Sequence, residues 1–401
     1  MTAMPARLRW VAPLFMVTAA FGGGVFWAVF RGVPGQDWVV FHTAAALARA
    51  GDWQTLADPQ AFTDTLNRTH AAWFAAPLVF HPWVYPPVTL VLALAFGWLP
   101  YPLSLMAFLS VSLSALLAAL WPWMPNRKDR ALLAVGVLLC PATAFTLGAG
   151  QLSFLIAAFV VAGVRWLPSR PALAGAVLGL LCIKPQFAPL IPVALVAGRH
   201  WRAVGGAAAS VTGLVVLSIV FGGLHPWEDW LRLAFGVNPA QAGLVHAVRI
   251  YDQSVHTCLL ILGVSSNLAA MGQLLALAIS ALCVWRAFAR PMQAELRLIV
   301  LLCATIFGAP HVGGYDHVLV AVACTIALLA GTPGLAVPAA GAWVATLLNP
   351  PALVALLGLP VLTVLSALTP LLVAALMGAA VLAGDVAMPA RSRRAYRGVR
   401  G

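Results

Sequence analysis

Apolar runs long enough to cross a bilayer recur from one end of this chain to the other. Crossing ~30 Å of hydrocarbon as a helix takes roughly 17–25 residues. With 62% of its residues hydrophobic and 8% charged, the chain cannot be a soluble globular domain. A transmembrane barrel would instead alternate apolar and polar residues in segments of ~10. The chain is therefore read as an all-α polytopic membrane protein. Its first run, residues 10–30, has Arg7 and Arg9 before it and Arg31 after it. It lacks a clean small-residue cleavage site and is expected to stay as the first transmembrane helix.

The formal net charge of +12 does not point to nucleic acid. The 23 basic residues include only two lysines, Lys128 and Lys184. The arginines sit in short loops: Arg127-Lys128-Asp129-Arg130, residues 165–170, Arg199-His200-Trp201-Arg202 and residues 286–290. More lie in the tail Arg391-Ser392-Arg393-Arg394-Ala395-Tyr396-Arg397. That is the pattern of a positive-inside bias. The six cysteines (140, 182, 258, 283, 303, 324) lie in or beside apolar runs, with no CxxC and no Cys/His cluster. They read as small packing residues, not as a metal site or disulfide framework.

If the basic loops are cytoplasmic, the outer connections are residues 35–85, 148–151, 184–186, 222–254 and 310–317. About 11–13 crossings follow from the run lengths. The organisation is a single integral membrane domain over residues 1–401. It comprises a first transmembrane helix (10–30), a long first extracytoplasmic loop with interfacial helices (31–84), a helical bundle (85–385) and a basic cytoplasmic tail (386–401). The stretch 85–121 is broken by Leu99-Pro100-Tyr101-Pro102. It reads either as two crossings or as one long crossing plus a re-entrant piece. Trp38, Trp53, Trp73, Phe74 and Trp83 in the first loop, and His225-Pro226-Trp227-Glu228-Asp229-Trp230 in the later one, suit helices at the membrane interface. The spacing predicts a helix from Trp38 to Ala50, ended by Gly51. No internal repeat supports an inverted-repeat transporter.

The outer connections hold most residues capable of chemistry. Only 11 residues in the chain are acidic, and one of them, Asp37, follows the first apolar run. Asp37 can be a general base at the membrane face, or simply the N-cap of the next helix. In His81-Pro82-Trp83-Val84-Tyr85-Pro86-Pro87 the prolines suit a helix entry, while His81 and Tyr85 can face a site. Lys184-Pro185-Gln186, with Gly150-Gln151 one hairpin earlier, puts a cation at membrane depth. Such a residue is expensive and by default functional, a phosphate being its obvious partner; the alternative is snorkelling to headgroups. Arg249-Ile250-Tyr251-Asp252-Gln253-Ser254 opens a helix. Asp252 or Ser254 can cap it, or Gln253 and Ser254 can hold sugar hydroxyls and Arg249 a phosphate. Pro310-His311-Val312-Gly313-Gly314-Tyr315-Asp316-His317 invites a metal reading, but one loop supplies at most about two good ligands. A histidine orienting a carboxylate or phosphate fits better.

These pieces, in this order over roughly residues 10–330, resemble glycosyltransferase family 87, polyprenol-phosphate-sugar-dependent transferases of the GT-C fold. The matching elements are Asp37, Tyr85-Pro86-Pro87, Gly150-Gln151, Lys184-Pro185-Gln186 with Arg199-His200-Trp201-Arg202, Asp252-Gln253-Ser254 and Tyr315-Asp316-His317. The chain departs from the family's pattern at Asp252, where Asn is usual, and at Gly314-Tyr315, where Ser-Trp usually precedes the histidine.

The resemblance implies a GT-C-type architecture and an inverting transfer. The donor is a polyprenyl-phosphate hexose, mannose first, and the acceptor a glycolipid or glycan hydroxyl. It implies Asp37 as base, with His317 assisting it or steadying the phosphate. Lys184 and Arg249 would hold the donor phosphate. Tyr85, Gln151, Gln186, Gln253, Ser254, Tyr315 and Asp316 would line the substrate site. No metal cofactor is implied, because fixed cations stabilise the leaving phosphate. The expected place is a bacterial plasma (inner) membrane with the site on its extracytoplasmic side. The rival readings are a transporter or lipid flippase, whose ionisable residues would line a path through the bilayer, and a non-catalytic membrane scaffold.

Overall fold

The computed structural model describes residues 32–234, 252–348 and 360–386, with parts of 13–24. Most of residues 10–30, Arg249 and nearly all of the tail at 386–401 lie outside the described residues. Regular structure among the described residues is helical, and the bridge between Asp252 and Gly313 is their one pairing of extended backbone.

The first loop folds into α1 (Trp38–Ala50), α2 (Trp53–Ala57) and α3 (Pro59–His70). Gly51 ends α1 in the left-handed conformation, its N–H closing on the carbonyls of Leu47 and Ala48. α1 packs inward against the protein, with Trp38, Val39, Phe41 and Ala44 fully buried. The Trp38 ring stacks on Phe108 at 3.9 Å, and its Nε1 donates to Ser104 Oγ at 2.9 Å. Small and apolar residues on every face let α1 pack inward. The amphipathic helix here is α3, which buries Phe62, Thr63, Leu66 and His70.

Next come α4 (Pro87–Phe96) and α5 (Tyr101–Leu120). Ten residues of α4 rise only ~15 Å, too little to cross the bilayer. α5 is long enough. It buries Tyr101, Ser104, Phe108, Ser112, Leu116 and Leu120, one stripe at helical spacing. Leu103, Met106 and Val111 on its other side are exposed, as lipid contact requires.

α6 (Arg127–Leu138) and α7 (Pro141–Ala149) meet at a bend of 60°. The bend falls at Pro141, which cannot continue a helix hydrogen-bond ladder. α8 (Ser153–Trp166) is buried along most of its length. α9 (Pro171–Gly179) and α10 (Leu190–Ala197) are separated by short 3₁₀ turns, with Lys184 between them. α11 (Trp201–Gly222) lies against α9 and α4 and buries only Ala203 and Ser218. A Cβ on Gly175 would run into the Ala203 carbonyl, and one on Gly206 into that of Ala172. Glycine at both positions lets α9 and α11 approach backbone to backbone, as small residues do between membrane helices.

α12 (His225–Ala234) lies beside α2 and α4. α13 (Val255–Ile261), α14 (Ser266–Ala289), α15 (Ala294–Gly308), α16 (Val318–Ala330), α17 (Ala336–Ala345) and α18 (Thr369–Val386) complete the described helices. α15 and α16 are buried nearly throughout and form the centre.

Among the described residues four helices are long and apolar enough to cross a membrane: Tyr101–Trp123, Trp201–Gly222, Ser266–Ala289 and Val364–Asp385. A fifth follows if α6 and α7 are one broken span, and six shorter apolar helices accompany them. The chain is an all-α integral membrane protein.

Candidate active site

Three aspartates open helices of the first loop, and they behave differently. Asp52 accepts the Thr55 N–H at 3.1 Å, and Asp58 accepts those of Gln60 and Ala61 at 2.9 and 2.8 Å. Those two are helix caps. Asp37 stands at the N-cap of α1, yet its side chain caps nothing. Its Oδ2 instead accepts Gln151 Nε2 at 3.0 Å, and its Oδ1 has no partner among the described residues.

The backbone holds this pairing in place. Gly35 N–H donates to Gly148 O at 2.8 Å and Asp37 N–H to Ala149 O at 2.9 Å. Residues 35–37 are thereby laid along the end of α7. Gly150 ends α7 at φ +73°, and a Cβ there would sit 2.6 Å from that of Trp38. Only glycine permits both the left-handed turn and the close approach, and the turn delivers Gln151 to Asp37.

The hydrogen bonds orient the Gln151 amide. Its Oε1 accepts the Leu152 N–H at 3.0 Å, so Nε2 is the end that reaches Asp37. Nε2 also donates to Tyr85 Oη at 2.9 Å. The tyrosine oxygen is thus an acceptor here, and its own proton remains available to a substrate oxygen. Asp37 and Tyr85 are both half-buried. Burial is the main cause that lifts Asp37 from 3.8 to about 6; the Gln151 bond and the Lys184 charge pull the other way. Burial, and then the Asp37 charge, push the Tyr85 phenol far above its ordinary range.

Lys184 is 2% exposed and pairs with Asp316, which is fully buried, at 2.6 Å. Asp316 Oδ1 also accepts Ser153 Oγ at 2.7 Å, and its Oδ2 accepts the Gly313 N–H at 2.9 Å. The Lys184 ammonium further sits 5.1 Å from the Phe187 ring and 4.9 Å from the half-exposed Tyr315 ring. The break in the helix at Lys184 frees backbone groups, and Thr89 Oγ1 satisfies the Ile183 carbonyl at 2.8 Å. Gln186 is half-exposed in the next turn. Lys184, expected to face a phosphate, has the Asp316 carboxylate as its hydrogen-bond partner here.

Asp252-Gln253-Ser254 is used mainly in joining loops. Asp252 Oδ1 accepts the N–H groups of Ser254 at 2.9 Å and Val312 at 3.0 Å. Its Oδ2 accepts the hydroxyls of Ser254 at 3.0 Å and Thr257 at 2.8 Å, and lies 3.5 Å from His311 Nδ1. Burial alone would raise Asp252, but the His311 bond and charge outweigh it and hold it below the usual carboxylate range. Ser254 caps α13, and the Gln253 amide donates to Leu348 O at 2.5 Å. Among the described residues the Gln253 side chain keeps its carbonyl and one amide N–H uncommitted.

His317 is fully buried, and its ring nitrogens have no partner in good hydrogen-bond geometry among the described residues. It borders a narrow crevice with Gln253, Phe307 and Thr369, and makes no bond to Asp37. The histidine whose charge acts on Asp37 is His311, six residues earlier, which is about one-third exposed. His311 was visible in the sequence, but which of the two histidines turns outward depends on the 3₁₀ turn Gly314–His317. Ser153 carried no signal beyond following Gln151. Arg249 lies outside the described residues.

The structure therefore joins Asp37, Tyr85 and Gln151 into one half-open cluster and Lys184, Asp316 and Tyr315 into a second. The Lys184, Asp316 and His311 charges all act on Asp37. An ionised, partly accessible carboxylate with a free oxygen can take a proton from a hydroxyl. The family model for glycosyltransferase family 87 matches residues 83–310, more than half of the chain. Asp316 falls just beyond that span and Asp37 well before it, each bonded to a residue within it. No curated protein and no solved structure matches the chain.

Proposed function

The chain belongs to glycosyltransferase family 87, and we propose that it moves a hexose, mannose first, from a polyprenyl-phosphate donor to a glycolipid or glycan hydroxyl at the extracytoplasmic face of a bacterial plasma membrane. The observation that carries this reading is Asp37: it stands at a cap position, does not cap, and keeps one oxygen free.

In the proposed reaction the acceptor oxygen attacks the anomeric carbon from the face opposite the phosphate. The acceptor O–H proton passes to Asp37 as the new C–O bond forms. The bond from the anomeric carbon to phosphate oxygen breaks, the electron pair leaves with the polyprenyl phosphate, and configuration inverts. The free Tyr85 proton hydrogen-bonds a substrate oxygen. Lys184 keeps two N–H donors after Asp316 takes one, and we assign these with Arg249 to the donor phosphate. His311, nearer Asp37 in charge than His317, is the assisting histidine in this account. Gln186 and Tyr315, both partly exposed, are assigned to the substrate.

The test is transfer by the purified protein from a panel of synthetic polyprenyl-phosphate hexoses to lipid acceptors, followed across pH. A base must be ionised to act, so kcat/KM falls as pH drops through about 6. A profile flat down to pH ~4.5 would show a base with the ordinary carboxylate value, and not Asp37 as placed here. Because fixed cations are assigned the leaving phosphate, a chelator is expected to leave the rate unchanged. Activity lost to the chelator and restored by a divalent metal would refute that assignment.

A further inference from the structure

A groove of about 510 Å³, counting its open mouth, lies between α2, the 82–83 turn and α12. Trp53, Trp83 and Trp230 line it from these three separate segments, with Pro59 and Pro82 as stiff walls and the Asp229 carboxylate as its charged group. Aromatic walls with a single carboxylate among them are the kind of lining that orients a small polar ligand. α12 buries none of its residues, so Trp230 and Asp229 are not recruited to hold the core.

The groove connects to the reacting cluster by direct contacts. The Trp83 ring lies 5.3 Å from that of Tyr85. Tyr85 Oη meets Gln151 at 2.9 Å, and Gln151 meets Asp37 at 3.0 Å. Phe41 packs on both aromatic rings, 5.8 Å from Trp83 and 4.6 Å from Tyr85, and stiffens the junction.

We propose that this groove binds a hexose ring of the acceptor, next to the hydroxyl that Asp37 deprotonates. The inference rests on the transferase reading and names its second substrate site. A sugar ring offers an apolar face of C–H groups and a rim of hydroxyls. Indole faces carry partial negative charge and accept the C–H face. A carboxylate accepts two hydroxyl protons at the rim in charge-assisted bonds. Three indoles and one carboxylate supply both. A quaternary ammonium headgroup could also use indoles and a carboxylate, but it would have no hydroxyl to bring to Asp37.

The test measures intrinsic tryptophan fluorescence of the full chain titrated with short-chain alkyl hexosides below their micelle concentration, and with a phosphocholine probe. Trp230→Ala is expected to weaken hexoside binding about tenfold or more, while Trp230→Phe binds nearly as wild type. In transfer assays Trp230→Ala raises the acceptor KM by a similar factor, with the donor KM unchanged. Equal hexoside binding by wild type and Trp230→Ala would overturn the proposal. So would no hexoside binding by wild type, or a preference for phosphocholine. If wild type binds hexosides through Trp230 but transfers no sugar from any donor, the transferase reading fails and the groove stands as a sugar site.

Discussion

Asp37→Asn is expected to lower sugar transfer by about 10²–10⁴-fold while leaving the protein folded. Asparagine has nearly the same shape. Its amide oxygen can still accept the bond from Gln151 Nε2 that Asp37 Oδ2 accepts at 3.0 Å. What it loses is the ability to take a proton. The contrast with capping is sharp, because asparagine caps a helix about as well as aspartate. Were Asp37 only a cap, the variant would be active. Stability gives an independent readout. Burial raises the Asp37 carboxyl from 3.8 to about 6. A raised carboxyl costs the fold stability as pH climbs from the lower value through the higher, because ionisation is harder in the folded state. At neutral pH the amide relieves that cost. The thermal midpoint of Asp37→Asn should equal or exceed that of wild type. A variant that is inactive and also less stable would implicate a damaged loop, not a missing base.

Local features were legible where local rules decide them. The helix from Trp38 to Ala50 and its stop at Gly51 follow from an apolar run and a residue free to turn left-handed. Rarity also carried information: in so apolar a chain, scarce polar residues are costly to bury, and Asp37, Tyr85, Gln151, Lys184 and Asp316 do converge. The sequence could not tell a cap from a base. Asp37, Asp52 and Asp58 each precede a helix, but backbone carbonyls of Gly35 and Asp37 already take the Val39 and Val40 N–H groups, and the Asp37 side chain turns to the distant Gln151. The same limit applies to Asp252. Its carboxylate is taken up by Val312, Ser254 and Thr257, a tertiary fact that turns an expected helix cap into a clasp between loops. Choosing between His311 and His317 required the turn at Gly314–His317, which no propensity rule sets.

The second large effect concerns Lys184 and Asp316, 132 residues apart in sequence and 2.6 Å apart in space. Removing one member of a buried ion pair costs about 3–5 kcal/mol, since it strands the other charge. Lys184→Met should therefore lower the thermal midpoint markedly, although Ser153 and the Gly313 N–H still solvate Asp316. Replacing both charges, Lys184→Met with Asp316→Asn, should recover much of that loss, because no charge is stranded and the amide oxygen can still accept from Ser153 or the Gly313 N–H. The double variant decides what the pair is for. If it serves only the fold, activity returns with stability. If Lys184 also holds the donor phosphate, as proposed, the double variant is stable and inactive. Added polyprenyl phosphate then raises the midpoint of wild type but not of the double variant, since only a form that binds the ligand is stabilised by it. Transfer by the double variant at near wild-type rate would remove Lys184 from the reaction and leave Arg249 and His311 to meet the phosphate charge.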